Sequence, residues 1–284
     1  MHFECVVNLS EGRDPDILSF LDAAAGPLLA DRHSDPDHHR SVFTLLGSGP
    51  EVGHAARELA TAAVAMLDLR LHQGVHPRLG VLDVVPFVPF LPDESDPSKV
   101  AGEAEAIALR DDFARWVGTE LGVPAFLYGP LPDGTIRSLP EVRRSAFAGL
   151  APDSGPSEPH PTAGACAVGV RPVLVAYNVW VSSLEVARQV VPLVRGPFVR
   201  ALALAVGRWA QVSCNLVEPY RYGPEQLYDA VAAAVDEAGG TVFGGELVGL
   251  LPAAVLAETT RSRWSELGLY EEATIEGRLV SPAG

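Results

Sequence analysis

The apolar pattern of this 284-residue chain runs through the same order twice, and that constrains the fold more than any single motif. Phe3 to Asn8 reads as a strand, and Asp14 followed by Pro15 opens a helix to about Ala25. Strands at Leu28 to Arg32 and Ser41 to Gly47 flank the polar run HSDPDHHR. A helix from about Glu51 to Leu67 then sets Val52, Ala56, Leu59, Ala63 and Met66 at spacings of three and four, and a strand from Val81 to Val88 closes the set. The second half repeats this. Val173 to Val181 is a strand, Ser183 caps a helix to about Val194, and Ala201 to Val206 and Gln211 to Val217 are strands. Gly223 and Pro224 open another helix, and a last strand begins near Thr241 after Gly239-Gly240. Each half is a βαββαβ series, the ferredoxin-like unit. The predicted fold class is therefore α/β (α+β) with two such subdomains, spanning residues 1–165 and 166–284.

Between the two series, Ser98 to Leu121 has helical spacing and Pro124 to Tyr128 reads as a strand. From Gly129 to Gly164 the pattern is that of a loop, and PDSGPSEPHPTAG is dense in proline, glycine and serine. Composition leaves two readings open, a plain linker or a binding loop carried by rigid units. The last thirty residues carry little signal.

Hydrophobic residues make up 48% and charged residues 20% of the chain, enough for a sizeable core and against disorder. The net charge of −15 argues against nucleic acid or an anionic membrane as a partner. It leaves room for small anions, because local arginines act within a Debye length of about 10 Å. Cys5, Cys166 and Cys214 lie far apart without zinc-ligand spacing, which suits a reduced cytoplasm. No signal pattern or membrane-length apolar run is present, so the expectation is a cytoplasmic protein.

The chemistry concentrates at His72 to Phe90, HQGVHPRLGVLDVVPFVPF, where two histidines and an arginine surround a turn ahead of an apolar strand. An imidazole held there by Pro77 and backed by Arg78 is suited to moving protons near neutral pH. The alternative is that His72 and His76 are simply turn residues over a sheet edge. The loop from His33 to Arg40 is rich in imidazole and carboxylate, but Arg40 opposes a cation and no helical two-histidine spacing supports a metal. No nucleophile elbow or phosphate-cradling glycine motif appears. General acid–base chemistry by histidine is the simplest mechanism left.

Several segments in register, CVVNLSEGR at Cys5, DHHRSVFTLLG at Asp37 and HQGVHPRLGVLDVVPFVP at His72, resemble the formiminotransferase domain of the glutamate formiminotransferase and formiminotransferase-cyclodeaminase family. VPAFLYG at Val123, SGPSEPHPTAG at Ser154, AYNVWV at Ala176, AQVSCNL at Ala210 and GGELVGLLP at Gly244 extend the likeness to about residue 252. The resemblance implies two ferredoxin-like subdomains facing each other through their sheets. It also implies transfer of a formimino group from N-formimino-glutamate, or a related amino acid, to N5 of tetrahydrofolate, in histidine degradation and one-carbon metabolism. Tetrahydrofolate would be a co-substrate, and no metal is implied. The family's general base falls on His76, and an imidazole near its unperturbed pKa of ~6.5 can take the N5 proton and return it to the departing amine.

Arg40 and Arg78 are candidates for the substrate carboxylates, because a guanidinium fork matches carboxylate geometry. A structural salt bridge is the alternative for at least one of them. His33 and His39 complete the candidate substrate-binding set. The family's folate loop falls on Gly155, Pro156, Ser157, Glu158, Pro159, His160, Pro161, Thr162, Ala163 and Gly164. Val75 stands where the family carries a glutamate, His33 where it carries an acid, and Pro159 and Ala163 where it carries larger apolar groups. A second reading is thus a non-catalytic folate-binding or regulatory homologue. The chain shows no cyclodeaminase region, so release of ammonia would fall to a separate protein. A homodimer suits a compact metabolic enzyme, although no sequence feature requires one.

Overall fold

In the computed structural model, which describes residues 2–90, 92–93, 96–100 and 102–280, caps start the helices where the sequence puts them. After strand β1 (His2–Leu9), the Asp14 carboxylate accepts from the amides of Asp16 (2.9 Å) and Ile17 (3.1 Å) and begins α1 (Pro15–Ala25). Strands β2 (Leu29–Asp35) and β3 (Arg40–Ser48) follow. A Ser48–Glu51 capping box then opens α2 (Gly49–Met66), and β4 (Leu82–Pro89) completes the first series. The strands lie in the antiparallel order β2-β3-β1-β4, so the predicted βαββαβ unit is present.

The same sheet continues beyond that unit. A hairpin of β5 (Pro92–Asp93) and β6 (Asp96–Val100) leads to α3 (Glu103–Glu120) and β7 (Ala125–Pro130). The short β8 (Ile136–Arg137), α4 (Leu139–Ser145) and β9 (Cys166–Val170) come next. Strand β9 inserts between β4 and β7, parallel to both, making seven strands in all. Here the structure differs from the sequence expectation. Helix α3 starts at Glu103 rather than Ser98, and the stretch expected to be loop contains α4, whose seven residues are too few to show a helical period. The chain divides into two compact units between Pro172 and Val173. A boundary after residue 165 would give β9 to the second unit, whereas its pairing places it in the first sheet.

The second unit holds β10 (Val175–Val181), α5 (Leu184–Val194), β11 (Val199–Val206), β12 (Trp209–Leu216), α6 (Pro224–Glu237) and β13 (Val242–Val248). Its antiparallel order is β11-β12-β10-β13, the same permutation as in the first series. The Ser183 hydroxyl caps α5 through the Val186 amide at 3.2 Å. Three short helices follow, α7 (Ala253–Ala257), α8 (Trp264–Leu267) and α9 (Ile275–Val280). No described helix is long and apolar enough to cross a membrane.

In each unit one sheet face is sealed by helices. Cys5, Phe43 and Phe87 pack with Leu21 of α1, Leu59 of α2 and Phe113 of α3 in the first core. Tyr177, Val212 and Val231 lie in the second. Because side chains alternate, the opposite face is left to Asn8, Val42 and Val84 in the first unit and to Asn178, Gln211 and Glu246 in the second. Phe87 is fully buried and meets Phe113 edge-on at 5.8 Å. Phe87→Ala is expected to cost about 3–5 kcal/mol, read in urea as a lower unfolding midpoint with unchanged slope.

Candidate active site

Asp83 is an ionisable residue in a strand whose every position is buried. The reason it can sit there is local. Asn8 pairs with Val84 but Leu9 pairs with Leu82, so Asp83 is the extra residue of a β-bulge, a device that re-aims a side chain. Its carboxylate accepts from the Leu79 amide at 2.6 Å and from both arms of Arg143, at 2.7 and 3.3 Å. It also pairs with the Arg40 guanidinium. Burial alone would raise this carboxyl, but Arg40, Arg143 and the Leu79 amide outweigh it and hold the group well below the ordinary carboxylate range. Arg40 donates its other arm to Asn8 Oδ1 at 2.8 Å, and Arg143 reaches the Pro77 carbonyl at 3.2 Å.

The His72–Arg78 turn is fastened to this pair. The His76 imidazole faces its own turn through Nδ1, 2.7 Å from the Pro77 carbonyl. Its pKa is lowered to about 3, first by burial and next by the Arg40 charge, with Asp83 opposing. The expected value near ~6.5 is therefore corrected: His76 is neutral here, with a free ring nitrogen but reduced basicity. His72 Nε2 lies 2.7 Å from the His39 carbonyl, and burial lowers its pKa to about 4. The Arg78 guanidinium rests against the His72 ring and reaches the His76 carbonyl. His39, at φ +49°, stacks on His72 at 4.0 Å and sets Nε2 3.2 Å from Glu11. Glu11 is buried and its Oε1 accepts from the amides of Gly12, Arg13 and Asp14, at 2.8, 2.7 and 3.0 Å.

Residues 155–164 meet the same turn at one end. Gly155 to Pro159 are exposed, whereas Ala163 and Gly164 are buried. The Val81 amide donates to Ala163 O at 2.9 Å, the Leu69 amide to Thr162 O at 2.7 Å, and the Ala165 amide to Leu79 O at 3.1 Å. His160 Nδ1 accepts from the Ala163 amide at 3.0 Å and closes the loop on itself. Gly164 has φ +72°, and a Cβ there would fall 2.5 Å from the Leu79 carbonyl, so only glycine fits. The loop is thus bound along Leu79–Val81, beside the His76 turn.

His76, His39, Arg40 and Arg78 come together in this cluster. His33 stands on edge strand β2 opposite Val42, two residues along β3 from Arg40. Arg40 takes the salt bridge left open as its alternative. Sequence reasoning missed Asp83, Arg143, Asn8 and Glu11. Asp83 left a signal, a lone carboxylate inside the apolar run VLDVVPFVP, whereas Arg143 lay in the segment expected to be loop. Among the described residues no three histidine, cysteine or acidic side chains are grouped to hold a metal ion. Around Asp83, Arg40, Arg143 and Arg78 set three positive charges against one, beside a neutral imidazole. Such a site can hold an anionic substrate and shuttle a proton, as group transfer requires.

Residues 2–171 match the formiminotransferase domain, N-terminal subdomain. The chain is 33% identical to a glutamate formimidoyltransferase of Streptococcus pyogenes, over 90% of each chain. It is 31% identical to one from Thermoplasma acidophilum, covering 99% of this chain and 97% of that one. A formimidoyltransferase-cyclodeaminase of Sus scrofa is 31% identical over 90% of this chain, and the match spans 51% of that longer protein. The protein is a transferase. It belongs to the formiminotransferase family.

Asp83→Asn would leave Arg40 and Arg143 facing a neutral amide. Removing one member of a buried ion group costs about 3–5 kcal/mol, so chemical denaturation should show a loss of that size. A loss below about 1 kcal/mol would mean that the arginines find other partners.

Proposed function

We propose that this transferase moves the formimino group of N-formimino-glutamate, or of a related amino acid, onto N5 of tetrahydrofolate, with His76 as the proton carrier. The observation that carries this reading is the neutral His76 imidazole set beside an arginine group that outnumbers its single aspartate. The substrate amino acid carries carboxylates, for which the Arg40, Arg143 and Arg78 forks are suited partners. His33 and His39 border the same ground. The folate would lie along residues 155–164, whose buried end shares its hydrogen bonds with Leu79–Val81.

The chemistry balances with one imidazole. N5 attacks the amidine carbon and forms the new C–N bond, while its proton passes to His76. The tetrahedral intermediate then breaks the bond to the amino-acid nitrogen, and His76 returns the proton to that leaving amine. A neutral imidazole can accept the proton in the first half, although a pKa of about 3 makes the free ring a weak base. For the second it must hold a proton, and bound substrate supplies the means. Carboxylates laid on the arginines offset the Arg40 charge that depresses the ring, so the pKa rises once the complex forms.

The direct assay follows the absorbance of the methenyl product formed in acid after transfer from formiminoglutamate to tetrahydrofolate. The parent should turn over, and His76→Ala should lose about 10²–10⁴-fold in kcat. A folded parent without activity would remove this substrate pair. The pH profiles make a second prediction. Because free His76 has a pKa of about 3, kcat/KM should show no His76-dependent acid limb from about pH 8 to pH 5. The kcat profile, which reports the bound complex, should turn down at higher pH than that.

A further inference from the structure

His39 borders the site, yet both nitrogens of its ring are already committed to the protein. Nε2 lies 3.2 Å from Glu11 Oε1, and Nδ1 lies 3.1 Å from the Gln73 carbonyl. Both partners are acceptors. A neutral imidazole carries one N–H and satisfies one of them, whereas the doubly protonated ring donates to both. The geometry is therefore that of an imidazolium held between a carboxylate and a carbonyl. Glu11 is ionised to receive it. Burial opposes that charge, but the amides of Asp14 and Arg13, the His39 charge and the Gly12 amide together hold its pKa below the ordinary value.

The neighbouring histidine takes the complementary state. His72 Nε2 donates to the His39 carbonyl at 2.7 Å, which leaves Nδ1 to accept from the Arg78 guanidinium. His72 is thus neutral, in keeping with a pKa that burial lowers to about 4. The two rings stack at 4.0 Å, a charged one on a neutral one. Other charged groups nearby are engaged elsewhere. On the same hairpin, Asp35 accepts from the His38 amide at 2.8 Å and lies 3.8 Å from the His38 ring, while Arg40 is paired with Asp83. From the loop after β1, Arg13 donates to the Pro36 carbonyl at 2.6 Å.

Through this ring the tip of the β2–β3 hairpin holds the turn that bears His76. The two segments lie against each other. A Cβ on Gly74 would fall 2.2 Å from the His38 carbonyl, and the Val75 amide donates to Asp37 O at 3.3 Å. His39 itself has φ +49°, a left-handed backbone that an L-residue adopts at a cost and that here brings the ring between loop and turn. At one end of the contact Glu11 is fixed by three backbone amides. At the other end is Gln73, three residues before the imidazole that the transfer reaction uses.

Resting on the reading of His76 as proton carrier, we propose that His39 is a positioning residue, an imidazolium that clasps the Gln73 carbonyl to Glu11 and so keeps the His72–Arg78 turn in place beside the arginine group. When the ring loses its second proton, one of the two acceptors is left without a donor and the turn loosens. The clasp is closed at lower pH and opens as pH rises through the titration of this ring, so kcat/KM falls on the alkaline side. His76 acts in the opposite sense, because protonation of its free ring removes the proton acceptor on the acid side. The alkaline limb therefore belongs to His39.

The test uses the full chain with isotope-labelled histidine, and steady-state transfer from formiminoglutamate to tetrahydrofolate between about pH 5 and about pH 9, a span that holds the ordinary titration of histidine. Long-range proton–nitrogen spectra, assigned with His39→Gln, should show the His39 ring protonated on both nitrogens at the acid end. It should lose one proton at the midpoint of the alkaline fall in kcat/KM. His39→Gln offers a single uncharged donor edge, and should lower kcat/KM by about tenfold to a hundredfold through misplacement of the turn and remove the limb. His39→Arg, a two-edged donor that stays charged, should restore the rate to within about threefold of the parent's acid-side level with a flat alkaline profile. If His39→Arg does not fold, the midpoint shared by spectrum and rate decides. A His39 ring with one protonated nitrogen throughout that range overturns this assignment and leaves the transfer reaction standing. So does a folded His39→Gln that keeps the parent's rate and limb. A parent without turnover removes the transfer reading, and the ring spectrum then decides whether the clasp exists.

Discussion

A single buried carboxylate organises the first unit. Asp83 has no water to solvate it, so its charge is tolerable only because Arg40, Arg143 and the Leu79 amide surround it. Those partners come from β3, from α4 and from the turn that holds His76. The ion group therefore ties distant parts of the sequence into one site. It also adds to what the imidazole feels: burial first, and then the Arg40 charge with Asp83 opposing, keep a proton off the ring. The pairing that stabilises the site also leaves an excess of positive charge beside the imidazole.

The rest of that unit is built to keep the arrangement still. Helices α1, α2 and α3 seal one sheet face, which leaves the other for polar groups without opening the core. Glu11 gathers three backbone amides at the start of the first helical loop and presents its oxygen to His39. The 155–164 loop is held at its buried end by the strand entry at Leu79–Val81, while its first residues stay exposed. Its start is fastened too, through the Ser154–Ala125 pairing and the close approach of Gly155 to Gly118 of α3. The second unit repeats the frame, bulge included, yet its face carries amides, a carboxylate and aromatic rings where the first carries guanidinium and imidazole.

Much of the frame was legible in the sequence. Asp14-Pro15 and Ser183 stand at helix starts because a capping side chain acts within a few residues, and apolar spacing along α2 and β4 follows the local period. His76 and Arg40 were legible as chemistry-bearing residues in distinctive turns. The parallel strand β9 was not, because it is short, contains Gly169, and is defined by strands more than thirty residues away. Arg143 was hidden for a similar reason. Nothing in its own neighbourhood announces that α4 carries it to Asp83, sixty positions earlier.

The sequence by itself determined the duplicated βαββαβ order and the turn that bears His76, since caps, periods and turns depend on neighbours a few residues apart. The tertiary structure decided which arginines surround Asp83 and that the imidazole is neutral rather than poised near ~6.5. Those depend on burial and on charges brought together across the fold. A desolvated group takes its properties from what surrounds it in space, and that information is not written beside it in the chain.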